Sequence, residues 1–309
     1  MRAVITADYG SPAEVADIET PTPGPGEIRV RVRASSLNGF DIAMAAGYLR
    51  GMMEHEFPAG LGRDFAGTVD AVGDGVSTFA PGDDVFGVVL TQPLRAGGLA
   101  EFLVIPEDHN VAPIPAGLDH ATAGVLGLAG AAARVCLDTI APAAGETVLI
   151  SGATGGVGAV LTQLAAARGA TVIATAKPGA ETEYVMAQGA SHAVDYSGDL
   201  AAQVRAVAPA GVDAAVHLAG DPVGLADLVR DGGRFVSLLN GDAGQAPERG
   251  VVATATFATP HRGVLEALAA DVLAGRITVP VQHTYALAEV PQAFGDFMAG
   301  TIGKLAVTI

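Results

Sequence analysis

The chain has 309 residues, beyond the roughly 250 to 300 at which one hydrophobic core stops growing, so two domains are expected. Half of the residues are apolar and 16% are charged, with a net charge of −16; this supports buried cores and repels nucleic-acid phosphates and anionic lipid, leaving room only for a local basic pocket. Cys136 is the single cysteine, which excludes an intrachain disulfide and any zinc site built on several thiolates, and fits a reducing, cytoplasmic setting.

The opening MRAVITADYGSP carries Asp8 early and has no apolar stretch after Arg2, unlike a secretory signal. Up to about residue 117, EIRVRVRAS alternates in period two, and GTVDAVG, VFGVVL and EFLVI are β-branched or aromatic runs bounded by Gly and Pro. These predict an irregular, mostly β domain. From Ala121 the texture changes to a helical stretch ending at Thr139, the strand TVLIS at 147–151, a glycine loop and a helix through Arg168. The longest uncharged run, Thr147 to Ala167, therefore reads as strand, loop and helix rather than a membrane span. TVIATA, HAVDY, VDAAVHLA and RFVSLLN then alternate with helical segments such as ETEYVMAQ and DLAAQVRAV. Near-continuous apolar strands at that spacing indicate a parallel sheet covered on both faces. GVVATATF at 250–257 is a candidate edge strand, after which mixed β and helix run to KLAVTI.

Gly152, Gly155 and Gly158 lie in SGATGGVG with Thr154, Gly156 and Val157, between a predicted strand and a predicted helix. In that context glycines let backbone approach a pyrophosphate at a helix N-terminus; the alternative is a tight turn without ligand. An NAD site would carry an acidic residue about 20 positions further on. Here TVIATA ends at Lys177, one of the chain's two lysines, and no Asp or Glu occurs between Gly158 and Glu181. The spacing favours NADPH, with Lys177 at the 2′-phosphate. Tyr196, closing AVDYSG, is either a second phosphate contact or a half-buried strand-end tyrosine. The seven histidines, at 55, 109, 120, 192, 217, 261 and 283, include no pair at helical spacing, and Cys136 sits in an apolar helical segment, so no catalytic metal is expected. No Gly-x-Ser-x-Gly elbow is present.

SSLNGFDIAMAAG, GLGRDFAGTVDAVGDGVSTFAPGDDVFG, SGATGGVG and the terminal GKLAVTI together resemble the zinc-independent medium-chain dehydrogenase/reductases, most of all their quinone oxidoreductase branch. The resemblance runs nearly end to end. It implies an α/β fold class: a doubly wound parallel-sheet dinucleotide-binding (Rossmann) domain at 121–257 and an irregular β-rich GroES-like catalytic domain from 1–120 and 258–309. Where zinc-dependent members hold ligands, this sequence has Leu37, Asn38, Arg63 and Asp64. The resemblance implies a catalytic set of Asn38, Asp41 and Arg63, with Asn38 and Asp41 facing the nicotinamide and Arg63 behind, in an ion pair with Asp64. It places Gly155, Gly156 and Val157 at the pyrophosphate and Lys177 and Tyr196 at the 2′-phosphate. Ala219 and Gly220, Leu239 and Asn240 approach the nicotinamide, and Lys304 lies near the interdomain cleft. Ala132 replaces a threonine of many relatives, and the tyrosines some of them place after the Asp are absent in register, leaving no assigned proton donor.

The implied activity is an NADPH-dependent, metal-free hydride transfer to a quinone or an α,β-unsaturated carbonyl. Met44, Met52, Met53 and Phe57 are either a pocket floor for a flat substrate or core filler. The alternatives are carbonyl/alcohol interconversion, weakened by the missing zinc, and a non-catalytic NADPH-binding structural or redox-sensing protein. A homodimer is expected through the strand at 250–257, because a long, apolar, uncharged edge is covered or paired in soluble proteins. Neither nucleic acid nor membrane is expected as a partner.

Overall fold

The computed structural model describes residues Met1 to Ile309 and resolves into two compact units. The first comprises Met1–Leu128, Pro260–Ala274 and Val281–Ile309, and the second Ala129–Thr259 and Gly275–Pro280.

The first unit contains strands β1 (Arg2–Thr6), β2 (Glu14–Asp17) and β3 (Glu27–Ser36), helix α1 (Gly39–Ala45), then β4 (Ala59–Gly60), β5 (Asp64–Val72), β6 (Asp84–Val88), β7 (Phe102–Pro106) and β8 (Val111–Pro113). Helix α2 (His120–Ile140) follows. In β3 the period-two pattern sends Ile28, Val30 and Val32 into a core with Phe65, Val69, Leu103 and Ile105, while Arg29 and Arg31 turn outward and share Asp70 on β5.

The second unit runs β9 (Thr147–Ile150), α3 (Gly156–Ala167), β10 (Thr171–Thr175), α4 (Ala180–Ala187), β11 (His192–Val194), α5 (Leu200–Val207), β12 (Val212–His217), α6 (Pro222–Ala226), β13 (Val229–Ser237) and β14 (Val252–Ala255). Its six strands pair in the order β11-β10-β9-β12-β13-β14, all in parallel. The order reverses between β9 and β12, and such a reversal opens a crevice at the carboxyl ends of the strands. The expected edge strand at 250–257 is shorter, β14 alone, and Val252 on it is 62% exposed.

The chain then returns to the first unit with α7 (Arg262–Leu273), β15 (Val281–Ala286), α8 (Val290–Ala299) and β16 (Lys304–Thr308). A seven-stranded sheet there follows the path β15-β16-β3-β5-β6-β8, with β7 on β3. Strand β16 thereby brings the end of the chain beside the end of β3, pairing Ala306 with Ser36.

The composition change at 120/121 marks where α2 begins, whereas the units divide within that helix, after Leu128. The reason is packing. A Cβ on Gly124 would lie 2.8 Å from the Cβ of Ala34, and one on Gly127 would lie 2.8 Å from Val88 and 2.9 Å from Asp64, so the first half of α2 belongs to the first unit's sheet. This helix is long and apolar enough to cross a membrane by length and composition, but 78% of its most apolar window is buried inside the protein, as in a core helix.

Candidate functional site

The loop after β9 assigns a separate task to each of its glycines. Gly152 has φ +65°, a conformation that only glycine adopts freely, and its N–H donates to Thr175 Oγ1 at 3.0 Å. A Cβ on Gly155 would meet nothing nearer than the Gly152 carbonyl at 3.6 Å, so the backbone there is open to a ligand. A Cβ on Gly158 would come within 2.4 Å of the Gly152 carbonyl and 2.5 Å of Ala153 Cα; only glycine lets α3 sit this close to the loop. These are the turn, approach and packing roles of a dinucleotide fingerprint. Gly156 and Val157 open the 12-residue α3, whose first N–H groups have no intrahelical acceptor and carry partial positive charge. Thr154 lines an adjoining cavity of about 590 Å³ together with Gly152, Thr175, Tyr196, Ala219 and Gly220. The loop fits a nicotinamide dinucleotide.

Lys177 follows β10 and Tyr196 follows β11, and the two meet: Lys177 Nζ lies 5.2 Å from the centre of the Tyr196 ring. Glu181, in the first turn of α4, joins them. One of its oxygens accepts from Tyr196 OH at 3.2 Å and the other from the Lys177 main-chain N–H at 2.9 Å. Glu181 lies beyond the strand end that carries Lys177, and the turn into α4 brings its carboxylate back.

Buried side chains organise the loops after β12 and β13. Ser151 Oγ donates to the Val216 carbonyl at 3.1 Å and accepts from Leu218 N–H at 3.0 Å. Ser237 Oγ accepts from Leu239 N–H at 3.1 Å and Gly241 N–H at 3.0 Å, which leaves its own O–H for His217 Nδ1 at 2.9 Å. That fixes the tautomer. His217 Nε2–H then donates to the Gly220 carbonyl at 3.1 Å. One imidazole therefore ties together the loops carrying Ala219 and Gly220, and Leu239 and Asn240. In the sequence His217 was one of seven scattered histidines; its signal was a polar ring directly after the apolar run Ala214 to Val216. Ala132 is buried in α2.

In the first unit, Asp64 is wholly buried. Its Oδ2 accepts from Ser36 Oγ at 2.6 Å, Asn38 Nδ2 at 2.9 Å and Lys304 Nζ at 3.4 Å, and its Oδ1 from Leu128 N–H at 2.6 Å. Lys304 also donates to Asn38 Oδ1 at 2.6 Å and the Leu37 carbonyl at 2.9 Å. Asp41 is equally buried and accepts from the N–H groups of Asn38 and Gly62, both at 2.9 Å. Burial raises its carboxyl above the usual range, opposed chiefly by Arg63, whose Nε stands 3.6 Å away. The other Arg63 nitrogens donate to the carbonyls of Gly60, Ala96 and Val89.

Residues 24–116 match the alcohol dehydrogenase GroES-like domain, and residues 188–307 match the model described as zinc-binding dehydrogenase. The chloroplast envelope quinone oxidoreductase homolog of Arabidopsis thaliana is 34% identical over 229 residues, covering 71% of this chain and 68% of that protein. The chain belongs to the medium-chain dehydrogenase/reductase superfamily, in its quinone oxidoreductase branch. Among solved structures, an NAD-dependent alcohol dehydrogenase is 29% identical with a TM-score of 0.89, each chain covering 100% of the other. A mycobacterial protein complexed with NADPH is 27% identical with a TM-score of 0.89, again covering 100% of both chains. Family membership makes the protein an oxidoreductase that works with a nicotinamide dinucleotide.

The residues at the metal-ligand positions of zinc-dependent members do not fit a zinc ion. Leu37 offers a hydrocarbon, Arg63 a guanidinium, and the Asp64 carboxylate is already engaged by an ammonium, an amide and a hydroxyl. No group of three or more His, Cys, Asp or Glu side chains converges elsewhere to hold a metal.

Several roles implied by the resemblance need correction. Asp41 and Arg63 are fully buried and engaged, so they brace the corner around α1 rather than face a reactant. Arg63 pairs with Asp41, not Asp64: adjacent residues entering a strand point to opposite faces. Lys304 is 4% exposed with its amine committed to Leu37, Asn38 and Asp64, and is not a cofactor ligand. Asn38, 8% exposed, keeps the second N–H of its amide. Met44 is core, Met52 is 55% exposed, and Met53 and Phe57 pack partly against the core; the four do not form one floor.

Proposed function

We propose that the protein is an NADPH-dependent, zinc-independent reductase that passes hydride to a quinone or to the β-carbon of an α,β-unsaturated carbonyl. The observation that carries this reading is a dinucleotide loop accompanied by a metal position closed by the Asp64–Lys304 pair. Without a Lewis acid, alcohol oxidation loses its usual means of activation. Quinones and enones become oxyanions that hydrogen-bond donors can meet and water can protonate.

The bound nicotinamide supplies the hydride. The Gly152–Gly158 loop and the N-terminus of α3 hold the pyrophosphate, and Lys177 meets the 2′-phosphate. The loops tied by His217 and Ser237 position the nicotinamide end. The free amide N–H of Asn38 is assigned to the acceptor oxygen.

The test is NADPH and NADH oxidation against a panel of quinones, enones and aldehydes, with and without chelator. Quinone or enone turnover that survives chelation supports the reading; aldehyde turnover lost to chelator, with one zinc per chain, overturns it. A charge-assisted bond from Lys177 contributes about 1.5 to 3 kcal/mol, so Lys177→Ala should lower the NADPH/NADH ratio of kcat/KM by roughly 10-fold to 150-fold.

The exposed edge β14, with Val252 exposed at its start and Phe257 exposed just beyond its end, supports a homodimer paired along that strand. Ala255→Lys should then sediment as a monomer. A cytoplasmic setting, a small-molecule partner and no nucleic-acid or membrane partner complete the reading.

A further inference from the structure

We propose that Glu181 opposes Lys177 in cofactor selection, so that the adenosine end of the site admits both dinucleotides and the carboxylate at 181 sets the ratio. The inference rests on the dinucleotide reading above.

Three observations support it. The phenol best placed to donate to a 2′-phosphate already donates to Glu181, at 3.2 Å. The carboxylate is held toward the site, because its other oxygen accepts from the Lys177 main-chain N–H at 2.9 Å. The cation stands against that same phenol, with Lys177 Nζ 5.2 Å from the centre of the Tyr196 ring.

A phosphate reaching Lys177 must therefore take the Tyr196 hydroxyl from Glu181 and remain beside a fixed negative charge. A free ribose 2′-hydroxyl meets the opposite situation. It can donate to Glu181 and displace nothing, which is the role a carboxylate plays in NAD sites. Lys177 and Glu181 are thus an attractive and a repulsive element at one position, and specificity follows from their difference.

The experiment measures binding rather than turnover. Calorimetry on the full chain would titrate adenosine 2′,5′-bisphosphate and 5′-AMP into wild type, Glu181→Gln, Lys177→Ala and the double variant. Glutamine keeps an oxygen for the Lys177 N–H and loses the charge. Bisphosphate affinity should rise about tenfold in Glu181→Gln, the scale of a phosphate against one carboxylate in water. Binding of 5′-AMP should stay level or weaken. The double variant should return toward the wild-type ratio, and thermal melts matching wild type would confirm that each variant folds. Unchanged or weaker bisphosphate binding in Glu181→Gln overturns the inference while leaving the dinucleotide reading intact. Failure of wild type to bind either adenosine compound or NADPH overturns both.

Discussion

The chain's two lysines sit in contrasting surroundings. Lys177 is exposed, with an exposed Tyr196 and a half-buried Glu181 beside it. Lys304 is 4% exposed and locked on a fully buried Asp64. Burial decides what a charged pair does. In water the ammonium can trade partners at little cost, so it suits recognition; away from water each partner is indispensable to the other, so the pair suits architecture.

The pH behaviour of the buried charges follows the same logic. Burial pulls the Lys304 amine below its usual 10.5, opposed by Asp64 and Asp41. A depressed lysine contributes stability that is complete above 10.5 and lost as the pH falls through its lower folded value. Asp41 has the opposite sign: its contribution is complete below 3.8 and is lost as the pH rises through its higher folded value.

The largest expected effect is on stability. Lys304→Met removes the cation that faces the buried Asp64 and should cost about 3 to 5 kcal/mol in chemical denaturation. Adding Asp64→Asn should recover part of that loss, and the loss in the single variant should be greater near about pH 10 than about pH 8. A change below about 1 kcal/mol would mean the buried pair behaves like a surface one. His217→Ala leaves the buried Ser237 hydroxyl without its acceptor, so about 1 to 3 kcal/mol should be lost together with NADPH affinity. His217→Asn, which can still accept from Ser237, should retain more of that affinity; equal binding by wild type and His217→Ala would remove the histidine from any positioning role. The smallest effect belongs to Lys177→Ala, whose stability should stay within about 0.5 kcal/mol of wild type despite its altered cofactor ratio. A destabilisation matching that of Lys304→Met would end the distinction between the two lysines.

These contrasts also mark how far the sequence could be read. The glycine loop was legible because each of its roles is local, and Lys177 with Tyr196 because both close neighbouring parallel strands. The division inside α2 was not, since the helix begins where composition changes but Gly124 and Gly127 pack on strands far back in the chain. Glu181 escaped because a helical turn, not linear spacing, returns it to Lys177. Lys304 was misassigned because only the pairing of β16 with β3 brings residue 304 beside Asn38.

Cys136 gives the proposed chemistry a different kind of significance. Quinones and enones alkylate thiolates, so an enzyme that handles them is exposed to damage from its own substrates. The only sulfhydryl of this chain is buried, and desolvation pushes its pKa up to about 12, which keeps it protonated and poorly nucleophilic. Mass spectrometry after incubation with excess benzoquinone should find Cys136 unmodified in the folded protein and modified once denaturant opens it. The fold would then shield its one thiol from the electrophiles of the proposed reaction.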